Sequence, residues 1–110
     1  MAMQTVGSFT LHNGGGFVVK ISFNYLGENG QMQRTKSGPD ITLGQTGSAD
    51  PGAYGVPNGA TVWLHADVVW GNDNTATQGF IYESGNSCVA NYTITGTTLS
   101  NTMGLIGVNC

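Results

Sequence analysis

Charge is what this sequence has least of. Charged side chains make up 8% of the 110-residue chain, against roughly a quarter of an average soluble domain. Only three are basic, Lys20, Arg34 and Lys36, and the net charge is −3. Three cations cannot supply the row of phosphate contacts that nucleic-acid binding needs. The same shortage excludes a polybasic membrane patch. No apolar run approaches the ~20 residues of a membrane-spanning helix, so no transmembrane segment is expected. The first ten residues, MAMQTVGSFT, have neither the charged nor the apolar region of a secretory leader. The expectation is therefore a cytoplasmic or non-classically exported protein, or an extracellular one whose leader has been removed.

Helical signals are also missing. No ten-residue segment combines apolar spacing at three and four with freedom from Gly and from several β-branched residues. Catalytic motifs are absent as well: the chain has no G-x-S-x-G, no P-loop, no H-E-x-x-H and no C-x-x-C. The expectation is a protein that is not an enzyme and carries no cofactor and no metal. Disorder does not follow from the 18 glycines, because ten aromatics and several β-branched runs can build a core. A chain of this length suffices for one domain spanning residues 1–110.

What is present is alternation. Ala60 to Trp70 reads ATVWLHADVVW, the longest period-2 run in the chain. Ala60, Val62, Leu64, Ala66, Val68 and Trp70 fall on one face and read as core. Thr61, Trp63, His65, Asp67 and Val69 fall on the other. Further strands are expected over Thr5–Leu11, Phe17–Leu26, Gln31–Ser37, Gln78–Glu83 and Ser87–Thr95. Asp40–Leu43 and Thr97–Val108 add shorter ones. The Asn-Gly at Asn29-Gly30 is a hairpin signal. Gly44 to Gly59 contains two prolines and reads as irregular. Seven to nine short strands with Gly and Asn turns imply an all-β fold, a single antiparallel β-sandwich, with a small barrel as the alternative.

The non-core face of the central strand is the main lead. Trp63 offers a ring that can stack on a sugar, and His65 and Asp67 offer hydrogen bonds to hydroxyls. Tyr54, in the irregular stretch, and the polar turn Asn72-Asp73-Asn74 complete the expected ligand-binding set. Trp70 and Tyr82 are assigned to the core. His65 and Asp67 lie about 7 Å apart along a strand, which a metal or a small hydrolase could also use. Asn72-Asp73-Asn74 could hold calcium, but it carries one carboxylate where such sites gather several. An Asx-stabilised turn is the simpler account.

A short, acidic, charge-poor, helix-free chain with aromatic turns resembles, in general character, small soluble β-sandwich lectins and aegerolysin-like cytolysins. That resemblance implies non-catalytic recognition of a surface glycan, or of a lipid headgroup by a cytolysin or defence protein. The glycan reading comes first here. Trp63, Val69 and Val89, all on non-core faces, lead to the expectation of a homodimer. Asn91-Tyr92-Thr93 is a formal glycosylation acceptor with Asn91 facing outward. The two cysteines, Cys88 and Cys110, leave two outcomes open: a disulfide between a strand start and the chain end, or two free thiols.

Overall fold

The computed structural model describes residues 3–110. Met1 and Ala2, which open the stretch read above for a leader, lie outside them. Ten strands follow in order: β1 (Thr5–Val6), β2 (Ser8–Asn13), β3 (Val19–Leu26), β4 (Met32–Arg34), β5 (Thr46–Ala49), β6 (Thr61–Val68), β7 (Asn74–Thr75), β8 (Phe80–Tyr82), β9 (Val89–Gly96) and β10 (Asn101–Asn109). A single turn of 3-10 helix, Pro51–Tyr54, is the only helical piece among the described residues. Asp50 caps it, its carboxylate accepting from the Gly52 amide.

The strands form two sheets packed as a sandwich. One runs β1-β8-β6-β3-β4, with β7 also beside β6, and the other runs β10-β9-β2-β5. Both are mixed: β1 pairs with β8 and β2 with β9 in parallel, while the other pairs are antiparallel. The parallel pairs arise because β1 and β2, read from sequence as one strand, belong to different sheets. Gly7 is the crossing point. A Cβ there would stand 2.0 Å from the Asn86 carbonyl oxygen, so only glycine lets the chain pass between the sheets.

Alternation fills the space between the sheets. Phe9 and Leu11 of β2, Val62, Leu64, Ala66 and Val68 of β6, and Ala90, Tyr92 and Ile94 of β9 are all buried. Phe9 is the hub, its ring 5.2 Å from Phe23, 5.8 Å from Phe80 and 6.3 Å from Tyr92. Burial pushes the Tyr92 hydroxyl up to about 12. Tyr82 is core, as expected, and its hydroxyl donates to Asp50. Burial first, and then that hydrogen bond, raise its pKa.

Several sequence expectations are corrected. The polar strand at 31–37 shrinks to Met32–Arg34, and the one at 40–43 to a single bridge between Ile41 and Val19. The stretch read as irregular contains β5, whose Thr46–Ala49 lacks apolar alternation and pairs through its backbone with β2. Thr97–Val108 becomes one long strand, β10, with a bulge between Leu105 and Gly107 that leaves Ile106 exposed. Trp70, expected in the core, departs furthest from the alternation: β6 ends at Val68 and Trp70 is 93% exposed. Its φ of 65° is left-handed, which breaks the alternation two residues early.

Candidate functional site

Four turns gather at one end of the sandwich, and backbone hydrogen bonds fix them side by side. Gly14 and Gly16 donate to Ile94 and Gly96, Gly44 donates to Asn13, and Val69 donates to Val18. Asn72 donates to Thr98 through its backbone and to Leu99 through its side-chain amide. Asn101 returns a side-chain bond to the Asn72 carbonyl, and Asn74 donates to the Asn101 side chain. The expected ligand-binding residues Asn72 and Asn74 therefore tie two turns together. Gly71 sits at the contact, where a Cβ would stand 2.1 Å from the Thr98 oxygen.

Three of the four turns lift one large apolar residue into solvent: Trp70 at 93%, Leu99 at 70% and Leu43 at 64% exposure. None of the tips, residues 14–16, 42–45, 69–72 and 97–100, contains a charged side chain. A left-handed tryptophan stores backbone strain, the kind that persists at functional positions. Sequence reasoning missed these three. Their signal was a lone large apolar residue bracketed by turn formers: Leu43 before Gly44, Trp70 before Gly71, Leu99 before Ser100.

Behind this end lies the polar row on the outer face of β6. His65 is 3% exposed. Its Nε2 is 3.1 Å from Asp67 and 3.4 Å from Asp73, and its Nδ1 is 2.7 Å from Thr75 Oγ1. Asp67 also accepts from the Ser37 hydroxyl. Partial burial works to raise the Asp67 pKa, and the hydrogen bonds from His65 and Ser37 overcome it, holding the carboxyl at about 2. Asp73 accepts from the Val68 amide through its other oxygen, 3.0 Å away. The structure thus brings together His65, Asp67 and Asp73 of the expected set.

Trp63 and Tyr54 stand apart from that group and from each other. Trp63 is half-buried, with its ring over Gly79. Tyr54 packs edge-on against Phe23, on the core side of the sheet, 5.5 Å between ring centres. Lys36 Nζ lies 5.9 Å from the Tyr54 ring. Asn91, expected to face outward, is half-buried, accepting from Thr10 Oγ1 at 2.7 Å. It lines a groove of about 440 Å³ with Thr10, His12, Thr46, Ile106 and Asn109. Cys88 and Cys110 are joined by a disulfide. The bridge lies at the far end from Trp70, since β9 runs from Cys88's neighbour Val89 toward Gly96.

The fold is similar to that of cytolysin-type toxins. Listeriolysin O matches with a TM-score of 0.50 at 17% identity, over 94% of this chain and 22% of that one. The cytotoxin suilysin from Streptococcus suis matches with a TM-score of 0.50 at 16% identity, over 94% of this chain and 24% of that one. The chain spans about a quarter of the length of these toxins. At such identity the likeness is one of fold. No protein-family model and no curated protein matches the chain.

Proposed function

We propose that this protein is a non-catalytic module that docks on lipid bilayers through the end carrying Trp70, Leu99 and Leu43. The observation that carries the reading is Trp70, held 93% exposed on a turn that hydrogen bonds lock to the Leu99 turn. A soluble chain gains nothing by exposing a tryptophan there, whereas the membrane interface accommodates its amphipathic ring. Uncharged tips support the same reading, because no carboxylate or ammonium has to enter the headgroup layer with them. The fold shared with listeriolysin O and the cytotoxin suilysin agrees with a membrane-directed role. Self-association on the surface is part of the proposal, in line with the homodimer expected above.

A glycan ligand is the second reading. The groove beside His12 and Asn91 favours it more than Trp63 does, since polar side chains line its walls. Co-sedimentation with protein-free phospholipid vesicles separates the two. Binding to vesicles that carry no glycan supports docking on lipid. Retention on a glycan array with no vesicle binding supports the groove instead.

A further inference from the structure

We propose that His65, Asp67 and Asp73 form a binding site for a divalent cation of zinc type. One nitrogen and two carboxylate oxygens converge, all within 4.8 Å of one another. Zinc bonds of about 2.0–2.2 Å in a tetrahedron put neighbouring donors roughly 3.4 Å apart. His65 Nε2 stands 3.1 Å from the Asp67 oxygen and 3.4 Å from the Asp73 oxygen. Both separations from the imidazole nitrogen are therefore those a metal would impose, and the two carboxylate oxygens lie within 4.8 Å of each other.

Each donor group is also oriented from behind. Thr75 Oγ1 holds His65 Nδ1, Ser37 holds the second oxygen of Asp67, and the Val68 amide holds the second oxygen of Asp73. Such partners on the non-coordinating atoms fix ligand geometry in metal sites. An ordinary surface pair of acids has no such support.

A second, independent observation points at the same place. Ser22 is directly across the β3–β6 pair from His65 and is fully buried. Its hydroxyl lies close enough to the Asp67 carboxylate to help lower that group's pKa, but Oγ reaches no partner at full hydrogen-bond geometry among the described residues. An unpartnered buried hydroxyl is costly, and a cation or its bound water beside Asp67 would satisfy it. Asp73 is 43% exposed and leaves a path from solvent. The imidazole favours zinc over calcium or magnesium, which prefer all-oxygen sites. Asp73 also closes the Trp70 turn, so ligation would tie that turn to β6. The site itself does not depend on the membrane reading, and its test uses no lipid.

The test is calorimetric titration of untagged, chelator-stripped protein with Zn²⁺, alongside Asp73→Asn, Asp67→Asn and, as a control, His12→Gln. Asparagine keeps the shape of each side chain and can still accept from Val68 or Ser37. The expected result is one Zn²⁺ per chain, affinity reduced at least tenfold in both Asn variants, and no change in His12→Gln. Ring ¹⁵N spectra of the two histidines should show Zn²⁺ moving the His65 Nε2 signal and leaving His12 in place. Absence of wild-type binding, unchanged affinity in Asp73→Asn, or a shift confined to His12 would overturn the site.

Discussion

The two ends of the sandwich are built on opposite principles. At one end the chain is covalently closed. Cys88 and Cys110 are bridged there, Gly7 donates to the Cys88 carbonyl, and the neighbouring turns carry the acids Glu28, Asp50 and Glu83. At the other end hydrogen bonds alone hold four turns together, and their tips present Trp70, Leu99 and Leu43 without a charge. The first end exposes apolar side chains too, Leu26 at 41% and Met32 at 56%, but sets them among charged turns. The second exposes apolar surface that water does not favour, at a backbone conformation that tryptophan does not favour. On the docking proposal, stability and recognition fall to different ends, and each can be removed separately.

The disulfide gives the largest effect. Replacing Cys88 and Cys110 together by Ser opens a loop with a sequence separation of 22 residues. Chain entropy predicts a loss of about 3 kcal/mol, which a urea melt reads directly. Vesicle binding of the folded fraction should be unchanged. Loss of binding in protein that remains folded would break the division between the ends.

Trp70→Ala is the mirror experiment. Removing a side chain that enters the interface costs about 1.5–3 kcal/mol of partitioning, or roughly 10- to 100-fold in affinity for vesicles. The melting temperature should hold, because the exposed indole has no core contacts to lose and alanine keeps the left-handed backbone that only glycine would relax. Trp63→Ala, seven residues earlier, should do the reverse. It removes half-buried packing over Gly79 and should cost about 2 kcal/mol of stability, with little effect on vesicle affinity.

The smallest effect is alkaline. The folded Tyr92 titrates at about 12, whereas an unfolded tyrosine titrates near 10. The native state therefore holds its proton longer, so stability is full below pH ~10 and falls as pH rises toward 12. Melts at rising pH should show this decline, and Tyr92→Phe should lessen it, leaving the share of Tyr82, whose pKa is also raised.

The two tryptophans show what the sequence could and could not say. Alternation from Thr61 to Val68 found the central strand and its buried residues, because a sheet face enforces period 2. The same rule, carried two residues too far, placed Trp70 inside. Periodicity describes a strand and carries no mark of where it stops. The ladder carries on through Val69, bonded to Val18, and stops where the chain turns and Asn72 bonds to Thr98. Those partners are remote in sequence and invisible to a local pattern. Gly71 was the local hint, since a glycine after Trp70 marks a turn that has already begun.

The candidate polar site was legible in part for the same reason. His65 and Asp67 share a strand, so their neighbourhood follows from geometry alone. Asp73 and Thr75 reach them because the chain folds back as β7 beside β6, which only the tertiary structure reveals. Tyr54 failed as a partner for Trp63 because its stretch crosses to the core side and meets Phe23. The mixed pairing of β1 and β2 was hidden at Gly7, where one glycine sends the chain from one sheet to the other.

Docking by the Trp70 end is the central claim, and tryptophan fluorescence tests it most directly. The chain has two tryptophans, so Trp63→Phe leaves Trp70 as the sole reporter. On adding phospholipid vesicles, the account predicts a blue shift of Trp70 emission and quenching by brominated acyl chains. Vesicle binding with Trp70 emission still that of a water-exposed indole, or no binding at all, would contradict it.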